Sequence, residues 1–466
     1  MKIVCKNTNN NLSKQIFLLF LPKHQCSQTT SPELPATTLA PRCYAQMFNG
    51  CTELTVAPKL PAIALEFRCY NGMFMSCNKL AVAPILPATD LADYCYSYMF
   101  YGCGSLTSAP KLLATTMKAG CYYYMFSRCT GLTSTPELPA ETLAMGCYMQ
   151  MFSGCTGLTA APVLPATTLV KNCYAQMFEG CIGLTTISKL LATTQAETSC
   201  YFMFSGCTSL ETAPDLPAET LEISCYEGMF ESCTGLTAAP KLSATQMATH
   251  CYDRMFAGCT KLTVSPELPA MNLAEGCYCW MFWNCTGLET APVLPATTLA
   301  DYCYEGMFED CTSLKTAPEL PATTLTISCY YKMFRGCTEL KTAPFLPAET
   351  LAETCYKEMF YDCTHLNYIK VNFSAWNDVG YSTKDWVANV SATGTFACPA
   401  GLNTTLKDVS HVPVGWMVDP TVDFHTPVVD NNQFDPKGIM YNLSGQRVDE
   451  SYKGIIIQNG KKYLNR

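Results

Sequence analysis

No stretch of this 466-residue chain approaches the roughly 20 apolar residues that a membrane-spanning helix requires. The run nearest to one, Ile16 to Leu21 flanked by Lys14 and Lys23, is far too short and reads either as a degenerate secretion signal or as a ragged N-terminus. Positive charge is not in excess. Lys+Arg number 30 against Asp+Glu 38, for a formal charge of −8, so nothing draws the chain to phosphate backbones or acidic lipid. Histidine is scarce: His24, His250, His365, His411 and His425 are scattered, and none sits in a motif with an acid or nucleophile. His250 precedes Cys251, but adjacent side chains usually point apart. A Gly-rich phosphate loop and a His-Glu-x-x-His motif are both missing. The expectation is therefore a protein that is not an enzyme, binds no cofactor and has no nucleic-acid partner.

What the chain has is repetition. From Cys51 a cysteine recurs every 26 residues through Cys363, thirteen times without an insertion. Met47-Phe48 through Met359-Phe360, Leu54 through Leu366, and Leu34 through Leu346 keep the same step. An independent domain has no reason to count residues, whereas stacked coils must set each side chain over its copy, so the pattern predicts a solenoid.

Within one copy, "LTVAP" or "LTSAP" offers a short β segment closed by proline. Proline lacks the N–H that a ladder needs, so the parallel sheet should be narrow, with strands of about two to four residues. In the second copy Leu65, Cys69, Tyr70, Met73, Phe74 and Cys77 are spaced by about four and by one, which predicts a short helical or 3₁₀ return. The phrases Phe100-Tyr101-Gly102-Cys103 and Leu106-Thr107-Ser108-Ala109-Pro110 resemble those of the BspA-like leucine-rich-repeat proteins, over roughly residues 31–370. The resemblance implies a right-handed leucine-rich-repeat coil; it implies no ligand.

Cys43 and Cys51 stand eight apart, and the pair repeats in every copy but the seventh, where Ser199 takes the first place and Cys200 the slot of the tyrosine. The spacing is compatible with buried free thiols filling a corner, with a disulfide array, or with metal ligands. Buried free thiols are the favoured reading, because metal sites need three or four converging ligands and these thiols form two long files. Met281 and Phe282 read as core, since residues that recur thirteen times are packing. The Tyr44 column, filled by tyrosine in twelve of thirteen copies, reads as rings packed between coils.

Function then falls to the columns that vary. Two of them near the strand carry Lys241, Glu267, Glu289, Lys315, Glu319, Lys341, Phe345 and, just beyond, Tyr368. Elsewhere in a neighbouring coil, Trp280 and Trp283 replace the polar pair Gln176 and Glu179. These ten residues are the candidate binding set. They suit an extended protein or glycan surface contacted through many modest interactions, with the tryptophans either a solvent-facing hot spot or packed inward.

Beyond Leu366 the register dissolves. "STKDWVANVSATGTFACPAG" and "VPVGWMVDP" resemble the closing unit that follows such repeats in Bacteroidota surface proteins, and an open solenoid end needs a lid, here Trp386, Phe396 and Trp416. The last segment, with Tyr441 to Val448 and Lys453-Gly454, resembles the C-terminal tails of exported Bacteroidota proteins and reads as three short strands. The expected organisation is an N-terminal signal or disordered stretch over 1–30, the solenoid over 31–370, a capping unit over 371–425 and a β tail over 426–466. The functional expectation is a monomeric, extracellular or surface-exposed solenoid that binds a protein partner, such as an adhesin. A glycan binder, an architectural spacer and a phage-borne receptor-binding module are the alternatives.

Overall fold

The computed structural model describes residues 29–420 and the strand backbones at 440–442, 447–448, 454–458 and 461–465. The expected signal segment lies outside the described residues. Two compact units are present, Met1–Pro266 and Glu267–Arg466, and both are built from the same coil.

Each coil pairs with the next at a step of 26 residues, in parallel. Isolated bridges such as Val82↔Ser108, Leu164↔Leu190 and Thr168↔Thr194 mark three stations around the turn of the coil. Pairing stays mostly at single bridges, narrower than the two to four residues expected, and proline follows within two residues of Val82, Ser108 and Leu164. Leu80, Leu106 and Leu132 are fully buried, a file of leucines pointing inward.

The return segment is not helical, and the expectation of a helical or 3₁₀ return is corrected here. In the second coil the N–H groups of Cys69, Asn71, Met73, Met75 and Cys77 donate back to the carbonyl three residues earlier. Those of Arg68, Tyr70, Gly72, Phe74 and Ser76 donate sideways, at 2.7–3.1 Å, to the carbonyls of Asp93, Cys95, Ser97, Met99 and Tyr101 in the next coil. Half of the backbone closes tight turns and half builds an intercoil ladder. A helix would direct nearly every N–H along its own axis and leave none for the neighbouring coil.

The alternation requires a left-handed residue at every fourth position: Arg68, Gly72 and Ser76, then Tyr94, Tyr98 and Gly102, and so on. For a residue other than glycine this conformation costs about 1–2 kcal/mol. The five lateral bonds of each coil, each worth about 0.5–1.5 kcal/mol net, offset that cost. Period four also explains the misreading, because inward pairs such as Cys69-Tyr70 and Met73-Phe74 recur at nearly the spacing of a helix face.

Inside, rings stack on their own copies. Phe48 to Phe256 and Phe282 to Phe360 form files with centroids 5.5–5.9 Å apart and planes within 11°. Tyrosines run alongside, as in the Tyr70–Tyr96 pair at 5.7 Å. Offset parallel rings of this kind add about 0.5–1.5 kcal/mol per pair beyond area burial.

The cysteines of the second column have a defined task. The thiol of Cys77 donates to the Phe48 carbonyl at 3.0 Å, and Cys103, Cys129 and Cys155 repeat the bond to Phe74, Phe100 and Phe126. That carbonyl also accepts the N–H of Cys51, so the thiol uses its second lone pair. A small, mostly apolar side chain with one weak donor fits the place. Cys43 is disulfide-bonded, and the 27 other described cysteines are buried.

Toward the C-terminus, β1 (Tyr368–Lys370), β2 (Thr395–Ala397) and β3 (Met417–Asp419) form a parallel sheet in the order β1-β2-β3, with Ile369, Phe396 and Val418 in register. Ser382 takes the cysteine position and Thr383 the tyrosine position, since the Tyr356 N–H donates to the Ser382 carbonyl as that of Tyr330 does to Cys355. Trp386, fully buried, contacts both Tyr356 and Phe360, so one indole succeeds two rings. Its N–H donates to the His411 carbonyl, and that of Trp416 to the Ser391 carbonyl. The tail holds four strands where three were expected: β4 (Met440–Asn442), β5 (Arg447–Val448), β6 (Gly454–Gln458) and β7 (Lys461–Asn465), antiparallel in the order β5-β4-β6-β7.

Candidate functional site

The strand face is partly occupied by its own backbone chemistry. The hydroxyls of Thr55, Thr107 and Thr185 donate to carbonyls of the preceding coil, at 3.0–3.4 Å, so this threonine column braces the ladder. Where it changes to charge, the side chains pair: Lys315 meets Glu289 at 2.7 Å, both well exposed. Lys341 and Glu267 are exposed, and Glu319 is half-buried. Lys370 places its ammonium 4.9 Å from the centroid of the Phe345 ring. Tyr368 is half-buried in β1, and burial, with the charge of Asp419, pushes its hydroxyl up. Lys241 belongs to the first unit, where its backbone N–H donates to Asp215; the other nine candidates belong to the second.

Trp280 and Trp283 lie on the turn ribbon, away from the strand face. Trp280 is half-buried, with a left-handed backbone, and its indole N–H donates to Glu309 at 3.3 Å. A Cβ on Gly306, in the same column one coil on, would overlap the indole. Tyr94 over Gly120 and Phe202 over Gly228 repeat the arrangement. At these three places the ring is accommodated by glycine in the next coil, whereas Tyr98 stacks on a second ring, Tyr124. Trp283 is 39% exposed and forms one end of a wider surface.

That surface continues through charge and rings. The Arg335 guanidinium meets Glu309 at 3.1 Å and Glu358 at 3.8 Å and lies 5.0 Å from the centroid of Tyr361. Lys332 and Lys357 both approach the Tyr331 ring, at 4.9 and 5.0 Å. Burial raises the pKa of the Glu309 carboxyl, against the opposing pull of Lys332, Trp280 and Arg335. Cations over rings, with carboxylates between them, give a contiguous mixed patch of the kind that a protein surface can match.

Sequence reasoning singled out the tryptophans but missed Tyr331, Arg335 and Tyr361 on the same ribbon. It also missed a cluster in the first unit, Tyr98, Tyr101, Tyr123 and Tyr124. The signal was available: "CYSYMFYGC" and "CYYYMFSRC" add rings outside the inward columns.

The seventh copy is irregular in the core as well. Gln195 replaces the leucine of its column; its amide donates to the Tyr226 hydroxyl at 2.7 Å and its carbonyl accepts from Ser199 at 2.8 Å. Cys200, in place of a tyrosine, leaves a cavity of ≈ 10 Å³ beside Tyr174 and Tyr226, about the size of one water. Burial pushes the Cys200 thiol well above its ordinary pKa, which makes it a poor nucleophile. Above it an open cleft of ≈ 390 Å³ is walled by Thr193, Thr194, Glu219, Thr220 and Glu222. Among the described residues, no group of three or more His, Cys, Asp or Glu side chains is placed to hold a metal ion, and no helix is long and apolar enough to cross a membrane.

No curated protein is similar to the chain. A leucine-rich repeat protein from Bacteroides ovatus, known from its crystal structure, is similar at 18% identity and a TM-score of 0.45, over 80% of this chain and 86% of that one. The BspA-type leucine-rich repeat region matches residues 121–263 and 276–383, with 6 copies. The match covers more than half of the sequence, and the chain belongs to the BspA-type leucine-rich repeat family.

Proposed function

We propose that this protein is a non-catalytic, secreted or surface-exposed binder of a protein partner, acting as an adhesin through the ribbon face of its second unit. The observation that carries the reading is the patch of Trp283, Tyr331 and Tyr361 interleaved with Lys332, Arg335 and Lys357. Trp, Tyr and Arg dominate the energetics of protein interfaces, since each combines a large apolar area with a polar handle. The patch sits in columns that differ from coil to coil, whereas Met, Phe and Cys beneath it recur because they pack. An architectural spacer has no need of such organised charge. Export is supported by the tail, whose Tyr441 to Val448 phrase resembles the ends of exported Bacteroidota proteins. The charged residues of the strand face, Lys241, Glu267, Glu289, Lys315, Glu319 and Lys341, with Phe345 and Tyr368, make a secondary contact zone on this reading.

The test is binding of the intact chain, compared with a Trp283→Ala, Tyr331→Ala double variant, to a panel of immobilised extracellular-matrix and cell-surface proteins. Loss of about tenfold or more in affinity for a bound partner is expected for a two-residue hot spot. Equal binding by both forms removes the ribbon patch from the site.

A further inference from the structure

The first unit carries a second surface of different chemistry. Tyr98 and Tyr124, one coil apart and both left-handed, stack at 4.8 Å with planes 9° apart. Tyr123 stands edge-on to both, at 5.4 and 4.4 Å, and Tyr101 lies 5.9 Å from Tyr98, with the Arg128 guanidinium over its ring. All four rings are partly exposed. The four phenol hydroxyls give the ring cluster a set of donors and acceptors.

Along the same column the next two coils replace rings with amides. Gln150, which is buried, and Gln176, which is partly exposed, continue the left-handed file, and the Gln176 amide donates to Glu179 at 3.0 Å. Reading along the stack, the surface offers two flat rings and then, two coils on, an amide paired with a carboxylate.

We propose that this strip binds an uncharged oligosaccharide. A sugar ring presents an apolar C–H face and an equatorial rim of hydroxyls. The face suits the partly exposed tyrosine rings, while the rim needs paired donors and acceptors of the type that Gln176, Glu179 and the tyrosine hydroxyls provide. Glu179 disfavours an anionic sugar beside it, and Arg128, over Tyr101, is engaged with the ring. A protein partner is less well matched, because a protein hot spot is usually ringed by side chains that exclude water, and this strip passes from rings to the partly exposed Gln176–Glu179 pair. The surface is separate from the proposed protein-binding patch and does not depend on it.

The test is native gel electrophoresis of the full chain through gels containing soluble neutral polysaccharides (glycogen, xyloglucan, galactomannan and laminarin), followed by calorimetric titration with a hexaose of whichever polymer retards it. Retardation by at least one polymer is expected. Tyr98→Ala, Tyr124→Ala should abolish it, Tyr101→Ala and Gln176→Ala should each weaken hexaose binding about tenfold, and Trp283→Ala should leave it unchanged. Tyr101→Ala removes a peripheral ring and keeps the stacked pair, so it serves if the double variant fails to fold. Absence of retardation by every polymer overturns the proposal. So does retardation that survives in folded tyrosine variants, or a tyrosine-dependent loss of affinity for a protein with no binding to polysaccharide.

Discussion

Trp280 occupies the space that a Cβ on Gly306 would need. The two residues are 26 apart, and Gly306 is itself left-handed, with φ of 56°. Glycine is required there on two counts, conformation and clearance.

Gly306→Ala should therefore cost more than the left-handed penalty alone. Gly146→Ala supplies that baseline, because Gly146 is left-handed with open space around it. We expect a loss of about 1 kcal/mol for Gly146→Ala and a further 1–3 kcal/mol for Gly306→Ala from the clash. Thermal unfolding measures both, and only Gly306→Ala should shift tryptophan emission. Equal losses with unchanged emission would show that Trp280 does not rest on residue 306.

The thiol files give the chain an alkaline limit. Burial pushes the thiols of Cys69, Cys103 and Cys121 up to about 12, from an ordinary value of 9.0. Above pH 9 the unfolded chain releases these protons while the folded chain keeps them. Stability should thus be level up to about pH 9 and fall steadily as pH rises toward 12. Denaturation midpoints at pH 8, 9.5 and 10.5 check this, and a level profile across the series contradicts it. In the native state at pH 8, a thiol reagent should leave these buried cysteines unmodified, whereas under denaturing, non-reducing conditions most of the chain's thiols should react.

Asp253 is a buried acid that works against the fold. Burial lifts its carboxyl to about 6 despite Arg254 and the His250 hydrogen bond at 3.0 Å. The ordinary value is 3.8, so the cost of its charge develops between about pH 4 and 6 and persists above. Asp253→Asn should raise stability at pH 7.5, on the order of 1 kcal/mol, and the gain should vanish below pH 4. A variant less stable than the parent at pH 7.5 would mean that the His250 and Arg254 contacts dominate.

Coil seven holds a coupled polar triad. Gln195→Leu restores the leucine of the column but strands the Tyr226 and Ser199 hydroxyls, a loss of about 1–3 kcal/mol. Tyr226→Phe removes one of those stranded groups. In a double-mutant cycle the pair should be less damaging than the sum of the singles, by 0.5 kcal/mol or more. Strict additivity would show that the Gln195–Tyr226 bond carries no stability.

The coil length, the parallel register and the inward leucine file were readable from the sequence because equal spacing leaves stacking as the economical explanation, and Leu80, Leu106 and Leu132 lie as that spacing requires. The return was misread because inward pairs every four residues suit a left-handed turn ribbon nearly as well as a helix, and local spacing does not reveal where an N–H is directed. The surface patches were partly hidden for the opposite reason. Recurrence identifies packing, so Tyr331, Arg335 and the Tyr98–Tyr124 stack, which occur in columns that change from coil to coil, stand out only when neighbouring coils are compared pairwise. That comparison would also have exposed the ring-then-glycine pairs Tyr94/Gly120, Phe202/Gly228 and Trp280/Gly306.

The ribbon is the feature from which both proposed surfaces are built, and the backbone at Gln150 tests it most directly. A crystal structure of the full chain should place Gln150 at a φ near 54°, with the Phe152 N–H on the Met177 carbonyl of the next coil at about 2.9 Å. A negative φ at Gln150, with the Phe152 N–H bonded to the carbonyl of Tyr148 in a helical turn, would contradict the account.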